Sequence, residues 1–281
     1  MRIFSSGIAF MILTIFLFSI MNALAKEFTT QYSIIQIVWA RYLSQTILTT
    51  LIFLPNIRDT VKTQNIKLHL FRSLLLFGAT ISMFSGFKYL SLISTITIFQ
   101  IGPLIIVIFS VIFLKENVGY RRWLSVIIGF SGTLFILKPG TTMFAISGFF
   151  PILAAICYAA YAVSTRRLGK NEDPKTNFFY TSLVGTIISS IILIPFFEPI
   201  LLKDLALFSI LGVIGGLGHF CFVIALQKSE ASILAPFTYF DLIFATILGI
   251  IFFHEYPDIY VYIGAFIIVG AGIYAWKRET L

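Results

Sequence analysis

Leu104-Ile105-Ile106-Val107-Ile108-Phe109 is apolar at every position, and so on every side of whatever element it forms. A strand facing lipid would alternate apolar and polar residues over about ten positions. In lipid, backbone N–H and C=O groups must be satisfied within the segment, and a helix does that. Nine further stretches of the chain have the same character. A helix needs about 20 mainly apolar residues to cross the hydrocarbon core. The sequence places such helices near 4–25, 32–54, 68–87, 91–114, 120–137, 145–165, 177–197, 205–226, 231–253 and 258–276. The fold class expected is therefore an all-α integral membrane protein of ten transmembrane helices.

Composition agrees. Of 281 residues 58% are hydrophobic and 11% charged, against roughly 25% charged in soluble domains. Mean hydropathy is +0.97. The net charge of +8 comes from basic residues scattered between apolar runs. They form no basic stripe of a nucleic-acid binder, so they read as topology. With the N-terminus in the cytoplasm, 15 Lys and Arg fall on inner ends and loops and 5 on the outer side. Arginine and lysine favour the inner face. Both termini are expected there, in a multi-pass protein of the cell inner membrane. Arg2, the apolar run and Ala23-Leu24-Ala25 imitate a signal peptide with a cleavage site. The run is too long, and the repeat below requires it, so the first helix is expected to be retained. Cys157 and Cys221 sit in apolar runs with neither disulfide nor zinc spacing; buried packing is expected of them.

The chain reads as two units, 1–140 and 141–281, of five helices each. Phe113-Leu114-Lys115-Glu116 and Phe252-Phe253-His254-Glu255 each close a fourth helix, 139 residues apart. Leu90-Ser91-Leu92-Ile93-Ser94-Thr95 lines up with Ser229-Glu230-Ala231-Ser232-Ile233, Gly7 with Gly148 and Pro55 with Pro195. Each unit ends in a small-residue helix, with Gly129 and Gly132 in one and Gly270 and Gly272 in the other. An odd helix count per unit inverts the second against the first. Inverted repeats recur among carriers, with the site at the repeat interface near the midplane.

Trp39-Ala40-Arg41-Tyr42, the paired Glu116 and Glu255, and Ile136-Leu137-Lys138-Pro139-Gly140 carry a resemblance. The chain resembles the drug/metabolite transporter superfamily, and within it the EamA-type ten-helix transporters, over nearly its whole length. That resemblance implies a basket-shaped bundle with a central cavity. It implies secondary transport of a small organic metabolite such as an amino acid, S-adenosylmethionine or a vitamin. The alternative is a non-transporting membrane subunit or scaffold. A lipid-modifying enzyme would need clustered carboxylates or histidines near one interface, whereas His69, His219 and His254 are dispersed. No phosphate-binding loop, cofactor motif, metal-ligand set or catalytic constellation is recognisable. The partners expected are a small-molecule substrate and the lipid bilayer, with no nucleic acid.

An ionisable group at the centre of a membrane helix costs about 2.5–3.5 kcal/mol on insertion scales. Arg41 lies roughly 13 Å into its helix and Asp241 roughly 15 Å into its own, at 1.5 Å per residue. Both depths are near the midplane, and the charges are opposite. They are expected to face one aqueous cavity and either pair or bind substrate. A fixed ion pair that only orients two helices is the structural alternative. Asp241 offers a place for a coupling proton; a passive carrier is the equal alternative. Gln100, Asn22, Tyr158, Tyr161, Tyr180, Thr238, Tyr239 and His219 are further substrate-binding candidates, each with interhelical hydrogen bonding as the plainer role. Tyr180 is taken as the counterpart of Arg41 in the second unit. Arg72, one turn inside its helix, is expected to snorkel to the headgroups, with Lys26 and Lys88 doing so at outer ends. Glu116 and Glu255 are expected to cap a helix or lock a loop. Pro103 and Pro236 interrupt the helices that hold Gln100 and Asp241. The carbonyls they free are tolerated only against protein or a watery cavity. These two prolines are the strongest pointer to the cavity. Gly212-Val213-Ile214-Gly215-Gly216 is expected to allow close helix packing, with a hinge as the alternative.

Overall fold

The computed structural model describes residues 6–137, 148–168 and 172–256, and then 259, 260, 262–264, 266, 267, 270, 271 and 274. Arg2, Lys138-Pro139-Gly140, Lys170, Gly272, Lys277 and Arg278 lie outside the described residues. The elements are α1 (Ser6–Phe28), α2 (Ile34–Phe53), a short α3 (Ile57–Val61), α4 (Ile66–Tyr89), α5 (Leu92–Phe99), α6 (Gly102–Phe109), α7 (Tyr120–Leu137), α8 (Phe149–Leu168), α9 (Pro174–Leu193), α10 (Leu202–Lys228), α11 (Ala231–Leu234) and α12 (Phe240–Phe253). No strand occurs among the described residues, and the described positions from 259 to 274 are helical. Eight stretches are long and apolar enough to cross a membrane; α5 with α6, and α11 with α12, each count as one.

Large apolar side chains such as Leu51, Ile112, Ile191 and Ile251 stand exposed on these helices, as expected where lipid is the solvent. The inward faces are small or interlocking. α1 packs on α10, α4 on α8, α2 on α9 and α5 on α12. With lipid tails as apolar as leucine, such contacts rest on close packing and interhelical hydrogen bonds. The α2–α9 seam shows both. Trp39 Nε1 donates to Ser190 Oγ at 3.0 Å, and the Thr46 and Thr186 hydroxyls are 2.7 Å apart. Gly185 lies against the Tyr42 ring, so a Cβ there would strike it. Gly185→Leu is expected to cost about 1–3 kcal/mol through overpacking. It should lower the melting temperature of the purified protein, with partial recovery when Tyr42→Ala is added. Gly212 and Gly215 likewise meet Ser44 and Met21, as the packing expectation required.

The two proline-broken helices are held by the other half of the chain. Glu255 accepts the N–H groups of Leu92 (3.0 Å) and Ile93 (3.2 Å) at the start of α5. Glu116 accepts those of Ala231 (3.3 Å) and Ser232 (3.1 Å) at the start of α11. Helix N-termini carry unsatisfied donors and positive partial charge, and each glutamate supplies two acceptors and a negative charge. Each glutamate thus caps the helix of the opposite half. The turns that aim them are alike. Lys115 (φ 55°) and His254 (φ 52°) are both left-handed, a conformation costing non-glycine residues roughly 1–2 kcal/mol. The next N–H then reaches back six residues, from Glu116 to Ser110 O and from Glu255 to Gly249 O. A basic residue completes each lock. Lys26 stands 3.8 Å from Glu255 and donates to Leu90 O. Arg166 stands 3.8 Å from Glu116 and donates to Leu226 O and Gln227 O. Lys26 is thus tied down rather than reaching for headgroups, while Lys88 is exposed.

Candidate functional site

The helix break in the first half spans Gln100 and Ile101 between α5 and α6, with Pro103 in the first turn of α6. In the second half a 3-10 turn, Ala235–Tyr239, carries Pro236 between α11 and α12. The breaks meet: Gln100 Nε2 donates to Thr238 O at 3.4 Å. Beside them lies a cavity with about 650 Å³ of space between atoms, open solvent at its mouth included. Its polar groups are Asn22, Arg41, Thr80, Tyr158, Thr238 and Asp241, and its aromatic walls are Phe18, Phe84 and Phe99.

Arg41 and Asp241, 200 residues apart in sequence, face this one cavity. They are not bonded to each other. Arg41 Nη1 donates to Thr80 Oγ1 at 2.6 Å, and its Nε has no partner. The guanidinium carbon lies 5.3 Å from the Tyr42 ring centroid and 6.0 Å from that of Phe18. Asp241 Oδ1 accepts the Ser19 hydroxyl at 2.5 Å. Among the described residues no donor reaches its other oxygen. The fixed ion pair that would merely orient two helices is therefore not what the structure holds. Two opposite charges stand in one void, each braced by a neutral hydroxyl. A buried charge left like this is costly unless water or a ligand reaches it. Ser19→Ala removes a hydrogen bond to a charged group, worth about 1.5–3 kcal/mol. It is expected to reduce solute uptake about tenfold, with Ser19→Thr retaining it, measured as initial rates in proteoliposomes.

Of the other candidates, Asn22, Tyr158 and Thr238 line the cavity. Gln100 is buried behind it, with its Oε1 unpaired. Tyr161 and His219 lie one layer further in and bond each other. Tyr239 is buried, donates to Val126 O at 3.0 Å and packs where Gly129 leaves room. Tyr180 does not reach the cavity: its hydroxyl donates to Val61 O and its ring lies beside His69. The Arg72 expectation is corrected. Arg72 is fully buried, bonded to Thr165, Tyr161, Thr181 and Asn177 O, because its face of α4 packs on α8 and α9 rather than on lipid. Ser19 and Thr80 were not among the sequence candidates. Their signal was a hydroxyl in mid-helix, the commonest and least specific polar feature of membrane helices.

A bundle of apolar helices, two of them broken against each other beside a void with opposed charges, is the architecture of a solute carrier. The chain belongs to the EamA-like transporter family: that family's model matches it twice, at residues 5–138 and 145–275. It is a small-metabolite transporter. It is 28% identical over 284 residues to the S-adenosylmethionine uptake transporter of Rickettsia bellii (strain RML369-C), covering 99% of this chain and 96% of that one. It is 26% identical to the riboflavin transporter of Vibrio cholerae serotype O1, covering 94% and 90%. It is also 26% identical to the pseudopaline exporter CntI of Pseudomonas aeruginosa, covering 95% of each. A solved crystal structure superposes with a TM-score of 0.80 at 18% identity, over 98% of this chain and 99% of that one, which speaks to the fold alone.

Proposed function

We propose that this chain is a secondary carrier of the inner membrane that binds a zwitterionic metabolite of the S-adenosylmethionine type in the cavity. Arg41 takes the carboxylate and Asp241 the ammonium group. The observation that carries the reading is that these two charges share one void without being bonded to each other. A carboxylate suits a guanidinium that lines the cavity and meets no carboxylate there, since arginine binds carboxylates through two parallel N–H donors. An adenine ring suits the walls of Phe18, Phe84, Phe99 and Tyr158. A sulfonium suits the same rings, whose faces attract cations. The likeness to the S-adenosylmethionine uptake transporter of Rickettsia bellii supports this substrate class.

Ten helices in two inverted repeats, 1–140 and 141–281, with both termini cytoplasmic, complete the reading. The two family matches support it. So do the reciprocal packing of α1 with α10 and α4 with α8, and the paired caps of Glu116 and Glu255. Substrate direction and a coupling proton on Asp241 are open to the same assay.

Purified protein in proteoliposomes should take up labelled S-adenosylmethionine saturably. Excess unlabelled methionine-like zwitterions should inhibit it, and riboflavin should inhibit it less. The aromatic walls favour a second reading, a flat-ring solute without a zwitterion, for which riboflavin inhibition would exceed that of amino acids. Absence of flux across a broad metabolite panel would instead favour the scaffold alternative.

A further inference from the structure

The buried polar groups do not stop at the cavity. On α2, Gln45 follows Arg41 by one turn; on α8, Tyr161 follows Tyr158 by one turn. Gln45 Nε2 lies 2.9 Å from His219 Nδ1, and the other ring nitrogen of His219 contacts the Tyr161 hydroxyl. Arg72 continues the column. Its Nη2 donates to Tyr161 at 3.0 Å, and its Nη1 to Thr181 Oγ1 and Asn177 O, both at 2.8 Å. One turn nearer the start of α4, His69 stands 3.9 Å from Glu172. The Glu172 carboxylate accepts from Thr63 at 2.6 Å and from exposed Asn65 at 3.2 Å. A column of buried polar groups thus runs from the cavity toward the loops at the Glu116 end.

Two features separate this column from hydrogen bonds that only tie helices together. First, Arg72 carries a full charge in the membrane interior, yet every one of its bonded partners is neutral. Second, Gln45 Oε1, both polar atoms of the Asn177 side chain and both ring nitrogens of His69 are buried without a hydrogen-bond partner. A structural network satisfies its members, because an unpaired buried polar atom costs about 1–3 kcal/mol. Groups left open in this way fit a path that water and solute enter when the helices part.

We propose that this column is the second half of the solute's path, and that Arg72 is a second station for the solute's anionic group, a carboxylate or a phosphate. The proposal rests on the transport reading. Arg41 and Arg72 then form two successive guanidinium stations, one at the cavity and one toward the Glu116 end. Asn177 is the reporter of choice. Only its backbone oxygen serves Arg72, so changing its side chain breaks no described bond.

The test uses full-length protein with Cys157→Ala and Cys221→Ala, reconstituted in vesicles and checked for a monodisperse elution profile. Asn177→Cys is compared with the exposed loop control Lys62→Cys, and Thr181→Cys serves if Asn177→Cys fails to fold. Two membrane-impermeant methanethiosulfonates are applied to each face, one with an anionic sulfonate tail and one with a cationic trimethylammonium tail. The expected result is labelling of Asn177→Cys from the face that labels Lys62→Cys. The anionic reagent should be favoured severalfold relative to the control, and adding Arg72→Gln should abolish that preference. No labelling from either face while Lys62→Cys reacts overturns the proposal, as does an anion-to-cation ratio equal to the control's. Labelling needs no transported solute, so its outcome is independent of whether S-adenosylmethionine is the cargo.

Discussion

Arg41→Gln and Asp241→Asn are each expected to reduce transport of a zwitterionic solute about 30-fold or more, since removing one member of a buried, hydrogen-bonded charge pair costs about 2–5 kcal/mol. The pair in question is formed with the solute. Each protein charge meets its opposite only when cargo is bound, so loss of either leaves a buried solute charge unmatched. Asp241→Asn is isosteric, and Arg41→Gln shortens the side chain but keeps a polar amide end, so folding and insertion should survive. The two variants should also differ in kind. Arg41→Gln should weaken recognition of the carboxylate, and Asp241→Asn that of the ammonium. Initial uptake rates in proteoliposomes, with membrane insertion verified for each variant, decide the matter; full transport in both, with normal insertion, rules out a direct role.

The second large effect concerns the two glutamate locks. Glu255→Ala removes two acceptors and a negative charge from the start of α5, and Glu116→Ala does the same at α11. Loss of a helix cap costs about 0.5–2 kcal/mol. Each change also strips a basic residue of its counter-charge, Lys26 in one case and Arg166 in the other. A drop in stability of about 2 kcal/mol is expected for each variant. The sites lie at opposite ends of the chain's internal pairing and share no partner, so the losses should add in the double variant. Thermal unfolding of the detergent-purified proteins measures this. A double variant no less stable than the singles would mean that the locks act as one unit.

How legible this was depends on the kind of physics involved. Arg41 and Asp241 stood out because a charge in mid-membrane is expensive wherever its helix points. Pro103 and Pro236 stood out because a missing N–H breaks any helix. The glutamates were visible through their repeat spacing, but their partners were not, because α5 and α11 are capped across the halves by residues 115 or more positions away. Arg72 misled for a related reason. Counting turns from a helix end treats the helix as alone in lipid, whereas the Arg72 face meets Thr165, Tyr161 and Thr181 on α8 and α9. Tyr180 shows the sensitivity of repeat matching. Shifting the offset by a single residue puts Thr181, not Tyr180, opposite Arg41. One step along a helix of 3.6 residues per turn swings a side chain by about 100°. Thr181 points inward to Arg72, while Tyr180 points to the loop at Val61.

The central claim is that Arg41 receives the solute's carboxylate in a cavity it shares with Asp241. Calorimetric titration of S-adenosylmethionine and of its decarboxylated analogue, into the wild type and into Arg41→Gln, tests it most directly. The wild type should bind the intact molecule far more tightly than the analogue, and Arg41→Gln should bind the two alike. Equal binding of both by the wild type, or a preference that persists undiminished in Arg41→Gln, contradicts the assignment.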